Sequence, residues 1–298
     1  MVKYTVKNCL FHKDDTCLED LYPRNFNEED LNEEVFSARR VTEHFHYKMV
    51  RCTGTGLVFS REVLPDELLE KLYAGSKVTF SEYTDIIRKD YWKPLSKYAS
   101  SIEKNAALEV GCSNGFFMEE LLLQGFKRVE GCEPSREAKA QAHSSVKEHI
   151  HTGFFNKDLY ENNTFDLICI FQTLDHLSDP VYILETCFSK LKKGGMLYII
   201  IHNVDALQAK ILGEKSPIID VEHIYLFNPQ SIKLAVEKVG FKTVECFPVK
   251  NSYPIKYWIK HVRLPFGKAV TAIFSLIGLD KARIGLSMGN MGIIARKP

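Results

Sequence analysis

The 298-residue sequence lacks an apolar run long enough to cross a bilayer. Its longest apolar stretch near the C-terminus, Ala269 to Leu279, falls well short of the roughly 20 residues a spanning helix needs. The first residues, Met1 to Asn8, have no apolar core of the secretory kind, so no leader is expected. Internal repeats and low-complexity segments are absent. So is a global charge bias: 39 Lys and Arg against 38 Asp and Glu leave a net charge of +1, and nothing global argues for nucleic acid. The glycines form neither G-x-G-x-x-G nor G-K-[ST]. That excludes the usual dinucleotide fingerprint and phosphate loop, and with them an NAD-dependent dehydrogenase.

What is present is local. Eight cysteines occur, and Cys112, Cys132 and Cys169 fall on or beside apolar strand-like runs. Such positions suit small buried hydrophobes better than disulfides, and a reducing, cytoplasmic protein is expected. Charge is unevenly spread. Ten acids and three arginines lie between Asp14 and Glu43, whereas nine bases and the single acid Asp280 follow from Lys250 onward.

Residues 106 to 248 alternate strand and helix patterns. Strands are predicted at 106–110, 127–132, 147–152, 165–171, 196–202 and 241–247, and helices at 116–124, 135–145, 180–192 and 229–239. Asp179-Pro180 opens one helix and Gly194-Gly195 ends it; Asn228-Pro229 opens the next and Gly240 closes it. Apolar strands joined by helical crossovers imply a parallel sheet covered on both faces, an α/β fold.

The most informative stretch is Ala107-Leu-Glu-Val-Gly-Cys-Ser-Asn-Gly-Phe-Phe117: a strand, a glycine turn and a helix start. Glycine lets backbone approach a nucleotide-like ligand closely because it has no Cβ. About 20 residues later a second strand ends at Glu133-Pro134-Ser135. A carboxylate at that tip is placed to accept two hydrogen bonds from a ribose diol. It also suits a helix start, with Pro134 at the first helical position, and both roles can hold at once.

With Glu109, Gly111 and Gly115, this pattern resembles the first motif of class I S-adenosylmethionine-dependent methyltransferases. The resemblance extends along the chain. Asp166 to Pro180, with its Asp175-His176 pair, resembles the fourth motif. Leu191 to Asn203 resembles the helix-Gly-Gly-strand unit, and Glu222-His223 resembles a later element of the same branch. It implies a Rossmann-like seven-stranded sheet whose last strand, near Asn290 to Lys297, returns antiparallel beside the sixth. It implies S-adenosylmethionine as cofactor, held by Glu109, Gly111, Cys112, Ser113, Gly115, Glu133 and Pro134. Phe171 and Gln172 would meet the methionine side. Phe154 stands where relatives often place an acid near adenine, so stacking or backbone would serve there. His176 and His223 are the candidate general bases.

The branch in question carries an N-terminal zinc ribbon and is often associated with polysaccharide and sugar-nucleotide biosynthesis. Here the two halves read Cys9-Leu-Phe-His12 and Cys52-Thr-Gly-Thr55. Thr55 is no ligand and Cys17 is off-spacing, so Cys9, His12 and Cys52 are left as an incomplete metal set and zinc is not expected. The expected division is residues 1–95 as ribbon-like segment and cleft-covering helices, and 96–298 as the cofactor-binding domain. Residues 249–288 would form a basic lid of two helices that packs Tyr257, Trp258 and Phe266 onto the sheet, with a peripheral membrane face or a pocket for an anionic substrate as the alternatives. The expected acceptor is a small molecule, a sugar or sugar-nucleotide, with no nucleic acid involved. A quinone or lipid-linked acceptor at the membrane and a non-catalytic scaffold subunit are the alternatives.

Overall fold

A computed structural model describes residues 3–31, 35–36, 44–76, 83–255, 257–258 and 282–298. The chain begins with β1 (Thr5–Val6), β2 (Leu18–Tyr22), β3 (Met49–Cys52), β4 (Val58–Ser60) and β5 (Glu62–Val63). Helices α1 (Asp66–Ala74) and α2 (Thr84–Ser96) follow. The central part runs β6 (Ala106–Val110), α3 (Phe116–Leu123), β7 (Arg128–Glu133), α4 (Arg136–Ala140), α5 (Ser144–Lys147), β8 (Ile150–Thr152), β9 (Phe165–Phe171), α6 (Pro180–Lys190) and β10 (Leu191–His202). It continues through α7 (Leu207–Leu212), β11 (Tyr225–Leu226), α8 (Pro229–Val239) and β12 (Lys242–Pro248). The chain closes with β13 (Asn251–Pro254), β14 (Arg283–Leu286) and β15 (Asn290–Arg296).

Seven strands form one sheet in the order β12-β15-β10-β9-β6-β7-β8. β15 runs antiparallel to both β10 and β12, while β10, β9, β6, β7 and β8 pair in parallel. The period of two along each strand fills both faces. Leu108 and Val110 of β6 and Leu197, Ile199 and Ile201 of β10 join the core shared with α6 and α8. Ala107 of β6 and Met196, Tyr198 and Ile200 of β10 join the core under α2 and α3. Burial on both sides leaves the C-terminal strand edges as the open end of the sheet, where ligands of doubly wound folds bind.

The first strands are not a free appendage. β2, β3 and β4 make an antiparallel sheet that β11 completes, Tyr225 pairing with Phe59. The residue span leading from the cleft into β11 is thereby tied to the N-terminal strands.

Three expectations change in detail. The helix expected over 135–145 is two short helices, α4 capped by Ser135 and α5 capped by His143, so Pro134 precedes the cap. α6 ends at Lys190, and Gly194-Gly195 lies in the irregular start of β10, where the register shifts between Leu191 and Met196. The base of the expected lid carries a hairpin, β13 against β14; residues 256 and 259–281, with Phe266 and Ala269 to Leu279, lie outside the described residues.

Candidate functional site

The loop after β6 is held from two sides. Gly111 and Cys112 donate backbone hydrogen bonds to the Cys132 carbonyl at the end of β7, at 2.9 and 3.1 Å. Gly111 has φ +72°, and a Cβ there would stand 2.2 Å from Thr173 Oγ1. Gly115, at φ +74°, starts α3, and a Cβ on it would meet Val146 at 2.9 Å. Both glycines therefore meet a conformational and a steric demand together.

Glu133 locks this loop. Its carboxylate accepts backbone N–H bonds from Ser113 (2.9 Å) and Ser135 (2.8 Å). Burial raises its pKa against the pull of those two donors. Glu109 is buried on β6 with Oε2 unpartnered, and burial, with Glu133 adding, pushes it well above the ordinary carboxylate range. Two desolvated carboxylates at one end of a cleft favour a ligand that brings hydroxyls and positive charge.

Gly111, Ser113, Glu133, Pro134, Phe154, Phe171 and Gln172 all line that cleft. Cys112 does not: its side chain is buried beneath the loop, and a Cβ on Gly131 would meet Cys112 Sγ at 2.6 Å. Gln172 sits at φ +48° with Oε1 buried and unpartnered, and Phe171 is wedged between Phe117 and Tyr198 at 4.7 and 5.0 Å. Thr173, which lies over Gly111 and donates its hydroxyl to the Phe171 carbonyl, carried no sequence signal.

Past Gln172 the cleft contains a buried acid-imidazole cluster. Asp175 Oδ2 accepts from His202 Nδ1 at 2.9 Å, while Asp175 Oδ1 has no hydrogen-bond partner. His176 and His223 each place Nε2 3.9 Å from an Asp175 oxygen. His223 Nδ1 binds Asp220 at 2.7 Å, and His176 Nδ1 meets the Tyr73 hydroxyl at 3.2 Å. His202, the last residue of β10, is brought into the cluster by its Asp175 contact.

The imidazoles are driven apart in proton affinity. Burial takes His176 down to about 4, with neighbouring His223 adding. Burial also pulls on His223, but Asp220 and then Asp175 outweigh it and raise the value to about 9. Asp175 is pushed up by burial, yet the His202 hydrogen bond and the other two imidazoles hold it well below its ordinary range. At neutral pH these shifts leave His176 neutral and His223 a cation. Asp175, His176 and His223 bring ligand-type atoms within 4.8 Å of one another.

Comparisons with known proteins agree with this fold. A family model described as a methyltransferase domain matches residues 85–246, from α2 to β12. A Helicobacter pylori protein named tRNA U34 carboxymethyltransferase is 26% identical over 183 residues, covering 58% of this chain and 69% of that protein. A protein of the same name from Campylobacter fetus is 28% identical over 178 residues, with 58% and 62% covered. Among solved structures, one from the complex between a Haloferax volcanii methyltransferase activator and the putative methyltransferase superposes with a TM-score of 0.52 at 13% identity. It covers 77% of this chain and 97% of that one. A putative methyltransferase from Bacillus halodurans gives 0.50 at 14% identity, with 69% and 98% covered.

These relatives overturn the expected sugar or sugar-nucleotide acceptor, its quinone and scaffold alternatives, and the expectation that nucleic acid plays no part. The acceptor cannot be read from the Rossmann-like core, which is built to hold the cofactor, and a net charge of +1 averages over patches of both signs. No described helix is long and apolar enough to cross a membrane. The orphaned Glu109 oxygen, the Cβ-free cradle at Gly111 and the Glu133 carboxylate fit the cofactor's ammonium, sulfonium and ribose groups. The chain belongs to the methyltransferase-domain family, and its cofactor is S-adenosylmethionine.

Proposed function

We propose that this S-adenosylmethionine-dependent methyltransferase modifies a tRNA, acting on a base that enters the cleft from the strand edge. One observation carries the reading: a single cleft of about 1880 Å³ runs from Glu109 and Glu133 past Phe171 and Gln172 to His176, His202 and His223. Small-molecule sites usually occupy roughly 300–1,000 Å³, so cofactor and a bulky acceptor fit side by side. Tyr253, Tyr257 and Trp258 also line it, Tyr253 and Tyr257 stacked at 4.0 Å. Aromatic faces of this kind receive a base taken out of its stack. Lys250 and Arg283 are exposed beside and on the β13–β14 hairpin, where they reach phosphates. The names of the curated relatives support the same acceptor.

The bound cofactor supplies an electrophilic methyl on a positively charged sulfur. The protein positions the acceptor and keeps water out, which by itself supplies much of the rate. Glu109 balances the cofactor's positive charge and Glu133 holds the ribose. His176, with Nδ1 engaged by Tyr73, takes the acceptor's proton on Nε2. His223, held as a cation by Asp220, stabilises negative charge developing on the acceptor. A tRNA acceptor also places the reaction in the cytoplasm.

The test supplies S-adenosyl-[methyl-³H]methionine and an unmodified tRNA pool, then maps label by nuclease digestion and nucleoside mass spectrometry. Label in one nucleoside, with U34 the first position to inspect, supports the proposal. Tight S-adenosylhomocysteine binding with no label in tRNA overturns it.

A further inference from the structure

Outside the lining of the cleft, three thiols and an imidazole converge, and methyl transfer uses none of them. Cys9 lies in the loop after β1, His12 three residues on, Cys17 directly before β2, and Cys52 ends β3. Their ligand atoms all lie within 4.8 Å of one another. Cys9 Sγ is 3.5 Å from His12 Nδ1, Cys52 Sγ is 3.3 Å from the same nitrogen, and Cys52 Sγ is 3.7 Å from Cys17 Sγ. Zinc binds sulfur at about 2.3 Å and imidazole nitrogen at about 2.0–2.1 Å, so the edges of its tetrahedron are roughly 3.5–3.8 Å long. Those three separations match such edges to within a few tenths of an ångström. A disulfide needs sulfurs about 2.05 Å apart, and all eight cysteines of the chain are free.

We propose that Cys9, His12, Cys17 and Cys52 form a closed, four-ligand site for one zinc ion. Strand register explains the membership of Cys17. Leu18 pairs with Cys52 across β2 and β3, so the residue before Leu18 arrives beside the Cys52 thiol. The backbone carbonyl of Cys17 is held there by Thr53 N (2.8 Å) and Thr53 Oγ1 (3.1 Å). The turn after Cys52 closes with Gly56 N bonded to the Cys52 carbonyl at 2.7 Å. Gly54 leaves room for the imidazole, since a Cβ there would stand 3.1 Å from His12 Cε1. Thr55 is not a ligand; its hydroxyl accepts from Leu57 N.

Four protein ligands leave no open position, so the ion is structural. It fastens the N-terminal loop to the β2–β3–β4 sheet, which β11 completes next to His223. Ser60 of β4 donates its hydroxyl to the His223 carbonyl at 3.2 Å. The same loop is bound to the methyltransferase core through Tyr225 and Lys238, which donate to the carbonyls of Asn8 and Leu10.

The test uses the full chain purified without chelator. Mass-spectrometric metal analysis is expected to find about one zinc per chain, and Cys17→Ser is expected to lower retention against a competing chelator by at least tenfold. Cys246→Ser, on the far edge strand β12, is the control that keeps the ion. Cobalt exchanged into the wild-type protein should give the strong visible absorption of a tetrahedral centre with thiolate charge transfer, a readout that needs no mutant to fold. Wild-type protein that holds no zinc, a six-coordinate cobalt spectrum, or a Cys17→Ser variant with unchanged zinc retention would each overturn the proposal.

Discussion

The imidazoles of His176 and His223 lie with ring centroids 4.6 Å apart and yet hold their protons about five pH units apart, near 4 and near 9. Burial disfavours the cation in both. Only His223 has a carboxylate at hydrogen-bonding distance, Asp220, to reverse that preference.

A bell-shaped rate profile follows. His176 works deprotonated, so kcat/KM rises as pH increases through about 4; His223 works protonated, so activity falls as pH passes about 9. His176→Gln should lower kcat by roughly 10²–10⁴. His223→Gln should remove the alkaline limb and leave the acid limb in place. A profile whose alkaline limb persists in His223→Gln would refute that role. The raised His223 value also stabilises the fold. That contribution is complete below the unfolded value of about 6.5 and is lost as pH rises through about 9.

Gly111→Ala should cripple cofactor binding. Its φ of +72° strains any L side chain, and the new Cβ would collide with Thr173 Oγ1 at 2.2 Å. The backbone strain alone costs about 1–3 kcal/mol. Adding Thr173→Ala removes the collision but not the strain, so the double variant should bind S-adenosylhomocysteine better than Gly111→Ala and worse than the parent. Calorimetric titration orders the three proteins; equal affinity in all of them refutes the cradle.

Glu133→Ala removes the acceptor for both Ser113 N and Ser135 N as well as the carboxylate offered to the ribose. Hydrogen bonds to a charged group contribute about 1.5–3 kcal/mol, so S-adenosylhomocysteine affinity should fall by roughly 10- to 100-fold. Titration showing less than a threefold change would rule Glu133 out as a cofactor ligand.

Glu109 opposes stability in the cofactor-free protein. Its carboxyl titrates well above the ordinary range because it is buried, so the stability tied to its proton is present in acid and lost as pH rises. Glu109→Gln should therefore raise the neutral-pH melting temperature by roughly 2–4 °C, about 1 kcal/mol for a chain of this size. The gain should vanish in acid, and cofactor affinity should drop. A melting temperature at or below that of the parent at neutral pH would contradict this account.

The strands and the glycine loop were legible because their signals are local. A glycine forced to positive φ, a carboxylate at a strand tip and apolar runs with period two each act within a few residues of themselves. Gly111, Gly115, Glu133 and the strand bounds at Ala106–Val110 and Phe165–Phe171 accordingly stand where the sequence placed them. Cys112 turns its side chain beneath the loop, and a loop pattern does not say which side of the loop a side chain faces. The acceptor was misjudged because it depends on the shape and charge of a cleft assembled from distant segments.

Sequence alone determined an α/β sheet with a cofactor loop at the end of its first parallel strand. Each element there is specified by its own residues and by chain order, and parallel crossovers admit few arrangements. Tertiary structure alone decided the rest. It set His202 against Asp175, separated His176 from His223 in proton affinity, and brought Thr173 over Gly111. It also carried Cys17 to Cys52 through the register of β2 on β3. Those relations depend on burial and on contacts between residues far apart in the chain. Neither quantity exists until the chain has folded.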